Sequence, residues 1–422
     1  MIILLVLFYL LFPVVLIYLV HKNPVFAKIG VVLLAYTVGL IIGNIGILPE
    51  GSEQYHSLLN GRVRLPVKEV ATMVADGRLP EGDLYVNQIF STQDVIMTIV
   101  IPLAIILLIL SLNVKRWLRL AKTTFISLIL ALVSVLSMVI LGFFLFKNDI
   151  PEIWKVGGML IGVYSGGTPN LASIQAALEV DPSIFILTHT YDMLLCAILL
   201  LFLISFGQPV FNLVLPKFNL KAGTKTDEMA LKEVKELDNF KPLIQPENFK
   251  SIGIVVGLSI IIFGIGGGMS FLVPESMAMA VVILTITTLA VIASFIPAIN
   301  RIKVSYQLGM YLIIIFSLVV ASMGNLTYMF NIDFIYLFLY VALTVFGSLI
   351  IHVLLSIPFR IDTDTMIISS TALIYSPPFV PVVAGALKNK EIILSGIAIG
   401  VIGYVIGNYL GIFTGYFLQS ML

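Results

Sequence analysis

Ten stretches of this chain run for about twenty residues each with almost no charge, at about 2–20, 26–48, 94–112, 123–146, 183–207, 251–273, 276–297, 306–323, 333–356 and 392–417. The hydrocarbon core of a bilayer, about 30 Å thick, takes roughly 20 helical residues to cross. A helix satisfies its own backbone hydrogen bonds in a solvent that offers none, so these stretches commit the chain to an all-α polytopic membrane fold. The chain is 59% hydrophobic and 11% charged, against about 25% charged for a soluble domain. A net charge of +1 gives no footing for a nucleic-acid partner. The single cysteine, Cys196, lies in an apolar run, so there is no disulfide framework. The first stretch lacks a basic start and a small-residue cleavage site, and reads as a retained helix rather than a secretion signal.

Two further segments, about 153–180 and 361–389, are long enough to cross but broken in the middle, by Ser165-Gly166-Gly167-Thr168-Pro169-Asn170 and by Ser376-Pro377-Pro378. Each is two arms of about a dozen residues, and each arm covers about 18 Å at 1.5 Å per residue. Either each segment crosses completely or it dips in and returns. Cytoplasmic loops collect Lys and Arg, so charge arbitrates. If both segments return and the N-terminus is outside, 18 of the 24 basic residues fall inside, including the Lys115–Lys122 cluster and the seven lysines from Lys217 to Lys250. If both cross, the better orientation gives 16 to 8.

The returning arrangement leaves five crossings and one re-entrant segment in residues 1–207, and the same series in 251–422. Five is odd, so the halves are inverted relative to each other, a plan of secondary transporters whose sites lie where discontinuous helices meet. A sequence echo supports it: Tyr164-Ser165 and Tyr375-Ser376 at the breaks, then Ala177-Leu178 and Ala386-Leu387. The expected organisation is two inverted repeats, 1–207 and 251–422, with ten spans and two re-entrant segments, joined by a cytoplasmic linker, 208–250. Both termini are expected outside. Residues 49–92 form an outer loop with a short helix near Val67–Ala75, and "TDEMALKEVKEL" in the linker can form a surface helix.

Irregular backbone at membrane depth is tolerated only where it is buried or lines a cavity. At the first break Thr168 can cap the second arm and Pro169 fits its first turn. The N–H groups beyond Pro169 then suit an anionic group, and carbonyls near Val163–Ser165 suit a cation. Ser376 with Pro377 repeats the cap. The plainer reading, that Gly and Pro only kink packed helices, weakens when two breaks fall at matching positions. Ionisable residues inside the membrane are costly and functional by default. His189 and Asp192 in "THTYD" share a helix face. They are read as coupling residues for sodium or a proton, with a mutually satisfied structural pair as the alternative. Asn408 in "GYVIGNYLGIFTG" joins them, because its helix is the repeat partner of theirs. The glycines 403, 407, 411 and 415 form a close-packing ridge, and Gly264, Gly266, Gly267 and Gly268 are assigned to packing too. His352 is placed at the membrane interface, Asp94 at a helix N-terminus, and Pro102 at a kink lining the cavity. No buried Arg or Lys is expected within a span, so a solute carboxylate would rely on helix ends and hydroxyls.

"PLAIILLILSLNVKRWLRLAK", "GVYSGGTPNLASI" with "YDML", and "GVIGYVIGNYLGIF" resemble the YjcL-like family, labelled domain of unknown function 819. That family is similar to the bile-acid/sodium, glutamate/sodium and 2-hydroxycarboxylate transporters. The resemblance implies an elevator-type carrier, often dimeric, with glycine-containing tips around the solute, and carries over onto Gly166, Gly167, Asn170 and Asp192. Ser376-Pro377-Pro378 stands where a glycine-rich tip is expected.

The resulting expectation is an ion-coupled secondary transporter of a small polar, carboxylate-bearing solute such as a dicarboxylate, amino acid or small peptide. Ser165, Gly166, Gly167, Thr168, Asn170, Tyr375 and Ser376 would bind solute, and Asp192, His189 and Asn408 the coupling ion. The protein would be a homodimer in the bacterial inner membrane, with no cofactor beyond a sodium ion. A channel or sensor is the alternative. An intramembrane enzyme is the remote one: Tyr191-Asp192 lacks a second aspartate in GxGD context, and "YSGGT" is not GxSG.

Overall fold

A computed structural model describes residues 2–23, 26, 30–59, 64–111, 122–218, 239–302, 304–323, 334–389 and 391–422. The described residues are helices and turns with no strand. Nine helices among them are long and apolar enough to cross a membrane. These are α1 (Ile2–Lys22), α5 (Glu81–Leu110), α6 (Lys122–Phe146), α9 (Pro182–Phe211), α10 (Phe249–Ser270), α11 (Glu275–Ser294), α12 (Val304–Ser322), α13 (Ile335–Ser356) and α16 (Ile393–Gln419). The shorter helices are α2 (Val31–Asn44), α3 (Glu53–Leu59), α4 (Val67–Ala75), α7 (Ile153–Gly166), α8 (Thr168–Ala177), α14 (Thr363–Tyr375) and α15 (Val380–Ala386). The protein is therefore a multi-span helical membrane protein. Its outward side chains agree, with Ile3, Leu201 and Ile261 exposed by 77%, 67% and 62% within three of these helices, apolar surface that suits lipid rather than water.

Two expectations about spans change. The stretch expected at 26–48 forms a helix of only 14 residues, Val31–Asn44, about 21 Å long. Gly30 and Gly46, with φ of 85° and 75°, bound it, a backbone glycine adopts without penalty. The stretch expected at 94–112 lies in a helix that starts at Glu81, because Asp83 and Asn87 in its first turns bond to Ser52, Tyr55 and Leu65 of the segment before it. Asp94 is therefore mid-helix, paired with Arg64 at 3.0 Å, and not at a helix N-terminus. The short helix Val67–Ala75 forms as expected. The helix expected in "TDEMALKEVKEL" and the Lys115–Arg119 part of the basic cluster lie outside the described residues.

The chain divides into two compact units. The first comprises residues 1–104, 180–187 and 309–332. Its helices are joined by a buried polar knot: Tyr9 Oη and Ser322 Oγ lie 2.6 Å apart, and Gln93 Nε2 donates to both, at 2.9 and 3.1 Å. Gly43 lies against the α12 backbone, where a Cβ would collide with the Ser322 carbonyl. Residues 53–59 and 64–90 close over Tyr55, Leu65, Val70, Leu79 and Val86, and Asn87 exchanges hydrogen bonds with the Leu65 backbone while accepting from Tyr55 at 2.7 Å.

The second unit comprises residues 105–179, 188–308 and 333–422 and contains both broken segments. In each, the arms turn back along each other. Lys155 Nζ donates to the Glu179 carbonyl at 2.9 Å, Gly158 lies against Leu178, and Gly162 against Ile174. In the other, Asn389 Nδ2 donates to Asp364 at 2.8 Å. All five non-glycine residues of positive φ among the described residues belong to these segments: Glu152, Glu179, Arg360, Ser376 and Lys388. Glu179 and Lys388, and likewise Gly167 and Ser376, are 209 positions apart. The Ala-Leu echo keeps that spacing, whereas Tyr164 and Tyr375 are 211 apart. The structural counterpart of Ser376 is thus Gly167 and not Ser165.

Candidate functional site

The first break is made by Gly167, with φ 75° and ψ −164°. Its N–H closes the last turn of α7 on the Val163 carbonyl at 2.8 Å, and its carbonyl accepts from Asn170 and Leu171 at 3.1 and 3.2 Å. This corrects two expectations. Gly167, not Thr168, occupies the cap position, and no side chain caps α8. The N–H groups of Asn170 and Leu171 are held by Gly167 rather than turned toward an anion.

Asn170 and Ser165 are buried and are tied into the packing. Asn170 Nδ2 donates to the Tyr404 carbonyl at 3.1 Å and the Gly403 carbonyl at 3.4 Å. Ser165 Oγ donates to the Ile161 carbonyl at 2.6 Å. The glycine ridge of α16 makes this possible: a Cβ on Gly403 would collide with the Ser165 carbonyl, one on Gly407 with Asn170 and Ser165, and one on Gly411 with Ile174. On α10 only Gly266 packs this way, against Ile286; Gly264, Gly267 and Gly268 have open space where a Cβ would be. These three face away from the described part of this chain. Pro102 is buried within a continuous α5.

The second break is made by Ser376, with φ 72° and ψ 167°. Its hydroxyl caps nothing. Instead it donates to the Gly166 carbonyl at 3.5 Å and fills the space a Cβ on Gly167 would need. The two breaks, far apart in sequence, meet. Thr168, Tyr375 and Ser376 are the partly exposed residues of the expected site, while Ser165, Gly166, Gly167 and Asn170 are buried.

Asp192 on α9 lies beside this meeting point and is 6% exposed. Its Oδ2 is 3.7 Å from His189 Nδ1, and its Oδ1 accepts from the Cys196 thiol at 3.2 Å. Residues 189, 192 and 196 recur at three and four positions and share one helix face. The fully buried Tyr164, just before the first break, lies within electrostatic reach of Asp192, although its hydroxyl makes no hydrogen bond of ordinary geometry. Tyr375, just before the second break, donates to the Cys196 carbonyl at 2.7 Å. Tyr164 and Cys196 were not among the expected site residues. The Tyr-Ser echo was a signal for both tyrosines.

Other expected residues fall elsewhere. Asn408 donates to Thr287 Oγ1 at 3.2 Å, so the structure brings it to α11 and not to Asp192. His352 is 1% exposed, held by Ser127 at 3.2 Å and Ser370 at 2.9 Å, and is a packed histidine rather than one at the membrane surface. A carboxylate the sequence reading passed over, Asp364 in the first turn of α14, is 4% exposed. It accepts from Gln208 and Asn389, both at 2.8 Å, at the edge of an open cavity of about 750 Å³ that also meets Lys217 and Lys388.

Residues 84–421 match the model of a family described as "Protein of unknown function (DUF819)". The match contains both breaks, α9 and α16 and leaves out α1 and α2. The chain is also 25% identical over 335 residues, 78% of its own length and 84% of the relative's, to the "Uncharacterized membrane protein YjcL" of Bacillus subtilis (strain 168).

Proposed function

The chain belongs to the DUF819 family of membrane proteins, and within that family we propose that it is an ion-coupled secondary transporter of a small polar, carboxylate-bearing solute. The observation that carries the reading is the contact of two helix breaks, at Gly167 and Ser376, beside a helix bearing a buried carboxylate. Backbone freed from helical pairing is stable at membrane depth only against protein or a polar cargo, and transporter sites are built where such breaks converge. Thr168 and Ser376 are the partly exposed residues that offer hydroxyls, the Tyr375 hydroxyl being donated to the Cys196 carbonyl. Because Asn170 and Leu171 turn their N–H groups to Gly167, hydroxyls take most of the work of recognising a carboxylate.

Asp192 is the coupling residue of this reading, with His189 beside it. A thiol and an imidazole are its neighbours. Hard cations prefer oxygen ligands, so the proton is favoured over sodium as the coupling ion. The inverted repeat with two re-entrant segments is part of the proposal. The matched backbone at Glu152 and Arg360, Gly167 and Ser376, and Glu179 and Lys388 supports it. So does the charge: the ends of the first segment hold one basic residue, Lys155, and those of the second hold Arg360, Lys388 and Lys390, as expected if the two pairs of ends face opposite sides of a bacterial inner membrane with the linker in the cytoplasm. An elevator-type homodimer completes the reading.

Reconstitution in proteoliposomes tests it. Uptake of labelled succinate, L-glutamate or Ala-Ala is expected to saturate, to follow an imposed proton gradient, and to lose that dependence in Asp192→Asn. Flux that rises linearly with concentration would point to a channel. Ion dependence that survives in Asp192→Asn would remove that residue from the coupling role.

A further inference from the structure

Gly167 and Ser376 hold the same backbone conformation, φ 75° and ψ −164° against φ 72° and ψ 167°. Positive φ with ψ near 180° is a region that essentially only glycine adopts, because a Cβ there crowds the backbone. The first break has the glycine and the second does not. Such strain persists only where the surroundings over-determine it, and it clusters at ligand sites.

The side chain of Ser376 is small and its packing is replaceable. Among the described residues its hydroxyl has one hydrogen-bond partner, the Gly166 carbonyl, at 3.5 Å, the long limit for an O–H donor whose usual distance is about 2.7–2.8 Å. The residue is partly exposed although it sits against the buried Gly166 and Gly167 of the first break. No Arg or Lys occurs in α8, α14 or α15, and the only one in α7 is Lys155, whose ammonium is turned to Glu179 and Glu152 at the far end of that arm.

We propose that Ser376 is the specificity-determining residue of the site: its hydroxyl donates to an oxygen of the solute carboxylate, exchanging the long bond to Gly166 for a short one. The serine is retained in a glycine conformation because that contact requires it. The inference rests on the transporter reading for the nature of the solute, but not for the strain or for the contact.

The test uses the full-length protein with three probes, succinate, L-glutamate and Ala-Ala, each read first by the rise in melting temperature it causes. Ser376→Gly keeps the backbone and removes only CH₂OH; Ser376→Ala removes the hydroxyl and keeps the Cβ. The Gly variant is expected to melt above both wild type and Ser376→Ala. Both variants are expected to bind the stabilising probe about tenfold more weakly, the loss of one good hydrogen bond. A Gly variant that melts no higher than the Ala variant would show that the serine is not strained. Unchanged probe affinity in both would show that the hydroxyl is no contact. If no probe stabilises the wild type, the carboxylate assignment falls. Probe binding without gradient-driven uptake would overturn the transporter reading while leaving the Ser376 contact in place.

Discussion

Gly167 shows how much one residue can decide in this fold. Its φ of 75° and the Ser376 hydroxyl beside it both exclude a side chain. Gly167→Ala should lower stability by about 2 kcal/mol or more, combining the positive-φ cost with overpacking, measurable as a fall in melting temperature of the detergent-purified protein. Asn170→Ala should also destabilise, by about 1–3 kcal/mol, because it leaves the Gly403 and Tyr404 carbonyls with one donor fewer in a buried place. Asn170 thereby holds the tip to α16. Asp192 and His189 were legible because a spacing of three places both on one face whatever surrounds them. Asn408 was not, since only packing decides which neighbour a helix face meets, and that neighbour is Thr287. Asp364 was passed over because in sequence it sits at a segment's edge, where an aspartate looks like an ordinary cap.

At the scale of elements, the glycine ridge on α16 and the glycines on α10 look alike as sequence and differ in the structure. Gly407→Ala should disrupt the seating of α7 and α8, because its Cβ would strike Asn170 and Ser165. Gly264→Ala should be neutral or slightly stabilising, since it meets nothing within 4 Å and alanine is the better helix former by about 1 kcal/mol. Melting temperatures of the two variants separate the cases, and equal losses would contradict the packing described. Asp364 joins the end of α9, the first turn of α14 and the end of the second hairpin through Gln208 and Asn389. Asp364→Ala strands both amides and should cost about 1–3 kcal/mol. Limited proteolysis near residues 386–391 should accelerate in that variant.

Across the whole molecule, the first broken segment ends in Glu152 and Glu179 and the second in Arg360 and Lys388, all four with left-handed backbone. Glu152 and Lys388 are exposed, and the only native cysteine, Cys196, is buried. Single Glu152→Cys and Lys388→Cys variants are expected to react with a membrane-impermeant maleimide from opposite sides of the membrane. Labelling of both from one side would refute the inverted arrangement. The sequence by itself determined the helical membrane class, because lipid leaves a spanning chain no other way to pair its backbone. It also located both breaks, because Gly-Gly-Thr-Pro and Ser-Pro-Pro interrupt a helix locally, whatever lies around them. Only the tertiary structure decided that Gly167 meets Ser376, that Tyr164, Cys196 and Tyr375 gather at Asp192, and that Gly167 and Ser376, 209 positions apart, share one backbone conformation. Contacts between residues some two hundred positions apart depend on how faces pack, and twenty apolar residues in a row carry almost no record of which face is turned where.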